Sequence, residues 1–137
     1  MDRYDEFCDH LVVEDLRSKE IVGTYRLQTG PNAAHNHGYY SAQEFDLRPF
    51  EQFREEIIEL GRACVHSEHR NLSVLSLLWK GIASYAATHD ARYLIGCSSV
   101  TSQDPAEGAV IEEKLRAKHL APPAWQTDPL PAFACPL

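Results

Sequence analysis

A mixed α/β sheet flanked by helices is the fold class the chain predicts, on three observations. Two β-rich runs, 10–13 and 21–28, are separated by the polar stretch 14–20, the pattern of an antiparallel hairpin. An apolar run at 58–65 precedes helical periodicity over 72–88, and a second apolar run follows at 92–98. Strand, long helix and strand make a right-handed crossover, which sets the two strands parallel. Asp104 followed by Pro105, with Glu107 three residues after the cap, opens a further helix.

Taken in order, the run 21–28 places Gly23, Tyr25 and Leu27 on one face and Thr24, Arg26 and Gln28 on the other. Residues 29–38 carry Gly30-Pro31-Asn32 and a closing Gly38, which predicts a loop over the site. A short helix is expected at 51–57 before the chain becomes extended. Leu72, Leu75, Leu78, Trp79, Ile82 and Ala86 recur at helical spacing and predict the apolar face of the long helix. The strand at 92–98 reads as buried. The last helix should run to about residue 120, and five prolines between 121 and 137 exclude a central strand there. One domain over 1–120 with an irregular proline-rich tail at 121–137 is the expected organisation.

A net charge of −7 over 137 residues argues against a nucleic-acid partner, which would need clustered Lys and Arg. The apolar stretch 72–87 is broken by Ser73, Ser76, Lys80 and Ser84, so no membrane span is predicted. The acidic start Met1-Asp2-Arg3 lacks the apolar core of a signal peptide, and a cytoplasmic location is expected. Cys8, Cys64, Cys97 and Cys135 are widely spaced and read as reduced, buried thiols. His35, His37, His66 and His69 have no carboxylate or cysteine set to complete a metal site, so no metal is expected. Ser98 and Ser99 lack the glycines of a nucleophile elbow.

The chemistry concentrates in ELGRACV, residues 59–65, and RNLSVL, residues 70–75. A strand carrying Glu59 and Arg62 leads into a helix start with an arginine beside it. That N-terminus offers free N–H groups to a phosphate, and the pair suggests acyl transfer from a phosphopantetheine arm. Glu59 is the candidate base, acting through a water. Residues three apart on a regular strand face opposite ways, so Glu59 and Arg62 share a site only through a bulge, expected at Gly61. Such a bulge would splay 58–65 from 92–98, open backbone groups at Ala63, Cys64 and Val65 to the arm, and place an N–H against the thioester oxygen. The phosphate would lie against Arg70, Asn71, Ser73, Val74 and Leu75, with His66 and His69 beside it. A strand-edge ion pair for Glu59 and Arg62, and a solvated flanking charge for Arg70, are the structural alternatives.

The pieces GTYRL, ELGR and YLIGCSS, in that order and spacing, resemble the hemolysin-like, ornithine-lipid type N-acyltransferases, relatives of the autoinducer synthases and of the GNAT acetyltransferases. The resemblance covers about residues 2–120 and implies a GNAT-like fold, incomplete at both ends, since those relatives carry a further helix before and more strand and helix after. It implies transfer of a 3-hydroxyacyl group from an acyl carrier protein to the α-amine of ornithine or a similar amino acid, with peripheral membrane contact at the inner face. The E-x-x-R motif of the family falls on Glu59 and Arg62. An active-site arginine falls on Arg26, which would hold a substrate carboxylate by a bidentate contact. A D-x-x-D pair falls on Asp2 and Asp5, which would attract a cationic acceptor. GNAT enzymes wrap a pyrophosphate with a small-residue loop. This chain matches its arginine at Arg70 but has Ser73 and Leu75 where small residues belong, which favours the single phosphodiester of a carrier over coenzyme A. No permanently bound cofactor is implied. The alternative is a catalytically incomplete remnant that binds a carrier or another partner.

Overall fold

The hairpin is closed by backbone bonds from Asp15 N–H to the Glu20 carbonyl (2.9 Å) and from Lys19 N–H to the Asp15 carbonyl (2.8 Å), with Lys19 at φ 63°. In the computed structural model, which describes residues 1–135, it joins β1 (Asp9–Glu14) to β2 (Ile21–Thr29). β3 (Ile57–Val65) lies antiparallel to β2, and β4 (Tyr93–Ile95) lies parallel to β3, giving a mixed sheet of order β1-β2-β3-β4. The parallel pair is bridged by α2 (Leu72–Thr88), capped by the Asn71 side chain, which accepts from Val74 N–H at 3.1 Å.

Two segments differ from expectation. Residues 30–35, read as loop, form a short helix, α1 (Gly30–His35): the Thr29 hydroxyl caps it by accepting from Asn32 N–H, and Pro31 fits its first turn. β4 is only three residues long and its central Leu94 is 44% exposed, so it is an edge strand and not a buried one. Its ladder to β3 ends at the Glu59–Ile95 pair. Beyond that point β3 has no strand on this side among the described residues. Gly96 allows the close approach there, because a Cβ would sit 2.6 Å from the Leu60 carbonyl oxygen.

α2 covers one face of β1 and β2. Its buried side chains are Val74, Leu78 and Ile82, one per turn: of the predicted face Leu78 and Ile82 are buried, whereas Leu72, Leu75 and Trp79 stand 40–80% exposed and Val74 joins the core in their place. Two glycines decide the orientation. A Cβ on Gly23 would lie 2.8 Å from Val74 Cγ1, and one on Gly81 would lie 2.7 Å from Leu11 Cδ1, so the helix can approach the sheet only along this line.

Residues 1–40 and 53–96 form one compact unit, and residues 41–52 with the chain from 97 onward form a second. In the second unit α3 (Pro105–His119) is capped by Asp104, whose carboxylate accepts from Ala106 N–H at 2.9 Å. The predicted tail is irregular apart from the turn Pro123–Trp125 and a bridge from Phe45 to Pro129, and Asp46 N–H donates to the Asp128 carbonyl at 2.9 Å. Pro136 and Leu137, the end of that tail, lie outside the described residues.

Candidate functional site

The β2–β3 register places Arg26 opposite Gly61 and Gln28 opposite Glu59, so the Arg26, Gln28 and Glu59 side chains project from the face that α2 does not cover. Between Thr24–Cys64 and Arg26–Gly61 the register slips by one residue on β3. The residue that absorbs the slip is Arg62, in the left-handed region at φ 47°, and not Gly61 as expected. An L residue there is strained by about 1–2 kcal/mol. Ion pairs from Arg62 Nη1 to Asp2 (3.2 Å) and Asp5 (3.6 Å) offset that strain and bring the side chain to the same face as Glu59.

Arg26 is the centre of this cluster. It is 4% exposed, and its Nη1 donates to both Asp2 oxygens (2.8 and 2.9 Å) and to Asp5 (3.0 Å). Its guanidinium lies over the rings of Tyr4 and Tyr40, 5.5 and 5.0 Å from their centroids. Burial alone would raise the Asp2 carboxyl, but the Arg26 hydrogen bond, the Tyr4 N–H and the two guanidinium charges outweigh it and hold it at about 2. Asp5 is lowered by the Asp2 N–H and by Arg26. Glu59 is 4% exposed, and its Oε1 accepts from Gln28 Nε2 and from Tyr40 N–H, both at 2.8 Å. The Cys8 thiol, beside Arg26 and Glu59, is pushed up to about 11 by burial and stays protonated.

On the opposite face an open groove of about 550 Å³ runs between the end of β3 and the start of α2. Of the residues predicted to meet a pantetheine arm, Ala63, Cys64, Val65, Arg70, Asn71 and Leu75 line it. Ser73 is exposed on the first turn of α2. Val74 is not a groove residue: its side chain packs in the core against Val22 and Leu78, and its N–H is taken by Asn71. Arg70 Nε donates to the Val65 carbonyl at 3.4 Å, which holds it at the rim.

Residues 1–80, more than half of the chain, match the acetyltransferase (GNAT) domain family. The chain belongs to that family. Relatives named L-ornithine N(alpha)-acyltransferase include proteins of Brucella abortus, 36% identical over 95% of this chain, and of Agrobacterium fabrum, 38% identical over 95%. A third, from Rhodobacter capsulatus, is 34% identical over 88%. The GNAT chain spans about half the length of these relatives, 49%, 47% and 49% in turn. No solved structure matches it.

The GNAT domain thus gathers Asp2, Asp5, Arg26, Glu59 and Arg62 on one side of the sheet and the groove residues on the other. Arg26 does not stand open for a substrate carboxylate, because its charge is engaged by Asp2 and Asp5 inside the protein. Gln28 and Tyr40, the partners of Glu59, are not legible as site residues from spacing; only the cross-strand register identifies Gln28. The cysteines also differ from expectation. Cys64, Cys97 and Cys135 are exposed and Cys8 is half-buried, all as free thiols. No helix among the described residues is long and apolar enough to cross a membrane.

The depressed carboxyl of Asp2 gives a pH prediction with a definite sign. A folded-state value near 2 against an ordinary 3.8 means the contribution is complete above about pH 4 and is lost as pH falls toward 2. Asp2→Asn is therefore expected to flatten the acid limb of stability over that window, read by circular dichroism in a pH series. An unchanged limb would show that the Asp2–Arg26 pair does not stabilise the fold.

Proposed function

We propose that this GNAT domain carries the donor-binding and proton-transfer groups of an N-acyltransferase that moves a 3-hydroxyacyl group from an acyl carrier protein to the α-amine of ornithine or a similar amino acid, as in ornithine-lipid biosynthesis. The observation that carries this reading is the pairing of the groove at Ala63–Val65 and Arg70–Asn71 with the buried Glu59 where β3 and β4 part. The names of the relatives support the class of reaction.

In this reading the phosphopantetheine arm enters from the α2 side and the acceptor from the other face of the gap. The neutral amine attacks the thioester carbon, a C–N bond forms, and the C–S bond breaks. The amine proton passes to Glu59 through a water, and the protonated Glu59 returns it through the same water to the leaving thiolate, so the thiol departs and the carboxylate is restored. An N–H of β3 near Ala63–Val65 faces the developing oxyanion. Three carboxylates (Asp2, Asp5, Glu59) against two guanidiniums (Arg26, Arg62) leave an excess of negative charge on the acceptor side, which suits a cationic amino acid. Arg26 organises Asp2 and Asp5 in place of binding the acceptor directly.

For the donor, Asn71 occupies one first-turn amide of α2, and Ser73 and Leu75 crowd the place where a pyrophosphate needs close backbone approach. A single phosphate beside Arg70 fits better. Arg70→Glu is expected to weaken carrier binding about tenfold and to reduce its dependence on salt, measured by calorimetry at low and high ionic strength. Equal affinity for acyl-coenzyme A would sink the carrier assignment. The acyl product would partition into a bilayer, so contact with the cytoplasmic membrane face belongs to this reading. The decisive assay offers acylated carrier and a panel of amino acids. Carrier binding without amide formation would replace the enzyme reading with a binding module.

A further inference from the structure

Three side-chain amides stand head to tail behind Glu59. Asn36 Nδ2 donates to Asn32 Oδ1 at 3.1 Å, and Asn32 Nδ2 donates to Gln28 Oε1 at 3.3 Å. Gln28 Nε2 then donates to Glu59 Oε1 at 2.8 Å and also reaches the Gly38 carbonyl at 3.2 Å. The direction of the row is fixed by a group that can only accept: Asn32 Nδ2 also donates to the Phe7 carbonyl at 2.7 Å, so the atom of Asn32 that faces Gln28 must be its nitrogen. That leaves Gln28 presenting its oxygen to Asn32 and its nitrogen to Glu59. Gln28 is 4% exposed, like Glu59, so neither side chain has bulk water as an alternative partner.

We infer that Gln28 is the positioning residue for Glu59, its amide held nitrogen-first toward the carboxylate by the Gly38 carbonyl and supported at its oxygen end by Asn32, which does not contact the carboxylate. The inference rests on the reading of Glu59 as the base. The sequence places Gln28 and Asn32 four residues apart across the Thr29 cap of α1, so the first turn of that helix builds the row. In Asn32→Asp an acceptor faces the Gln28 oxygen; turning the amide over would set that oxygen against two acceptors, the Glu59 carboxylate and the Gly38 carbonyl, so Gln28 keeps its direction and loses its support from Asn32.

The test compares Gln28→Met, Asn32→Asp, their double variant and Glu59→Gln in the full chain. The expected result for Gln28→Met, which keeps the shape and removes the donor, is a fall in kcat of roughly 10–100-fold with donor affinity and Tm little changed. Asn32→Asp should lower kcat less than Gln28→Met does and have almost no further effect on top of Gln28→Met, a non-additivity that general loss of structure does not produce. A second readout does not depend on activity. The side-chain NH₂ signals of Gln28 in a ¹H–¹⁵N spectrum, assigned by their loss in Gln28→Met, should move in both Glu59→Gln and Asn32→Asp. Immobile Gln28 signals, or full additivity of the two variants, overturn the inference. Wild-type kcat in Gln28→Met beside a dead Glu59→Gln also overturns it while sparing the base reading. Wild-type kcat in Glu59→Gln overturns the base reading, and the positioning role with it.

Discussion

Glu59→Gln is expected to lower the rate of amide formation by about 10²–10⁴-fold while leaving carrier affinity nearly intact. The substitution keeps the size of the side chain and an oxygen able to accept from Gln28 Nε2 and Tyr40 N–H, so the strand and the cluster should persist. What is lost is the negative charge that takes the proton of the attacking amine. The deficit therefore belongs in turnover and not in binding of the donor, which uses the groove on the other face of the sheet. Single-turnover measurement with acylated carrier separates the two. Unchanged turnover at neutral pH would remove Glu59 from the mechanism.

How much of this was legible in the sequence depended on how local the cause was. The bounds of α2 at 72–88 and the start of α3 at Asp104-Pro105 follow from periodicity and caps, which act within a turn or two. The hairpin follows from two β-rich runs and the polar stretch between them. The misreadings have non-local causes. Arg62, and not Gly61, takes the left-handed bulge position because Asp2 and Asp5 engage its side chain across about sixty residues of sequence. The buried stripe of α2 keeps the expected Leu78 and Ile82 but runs through Val74 and not through Leu72, Leu75 and Trp79, because Gly23 and Gly81 admit the helix only along that line. α1 is a partial exception. Thr29 and Pro31 are local helix-start signals, but Gly30-Pro31-Asn32 reads equally as a turn. At the candidate site the charged residues stood out by type, while Gln28 acquired meaning only once the register set it opposite Glu59.

Arg26→Met is expected to be the most destabilising single change in the cluster, by about 3 kcal/mol, corresponding to a fall in Tm of roughly 10 °C for a domain of this size. Methionine fills the space over Tyr4 and Tyr40 but leaves Asp2 and Asp5, apart from their backbone N–H donors, with Arg62 as their ion-pair partner, which is half exposed and already in a left-handed backbone. Arg62→Met should cost less than about 1 kcal/mol, as expected for an exposed pair. The pH dependence distinguishes charge from packing. Both carboxylates are held below their ordinary values in the wild type, so the stability that depends on Arg26 is fully present above about pH 4 and disappears as pH falls toward 2. The gap between wild type and Arg26→Met should therefore be widest near neutrality and close over that acid range. Chemical denaturation at a series of pH values reads it directly. A gap that stays constant with pH would mean that Arg26 acts through its contacts with the two tyrosine rings, and that the acidic pair at the N-terminus is not organised by its charge.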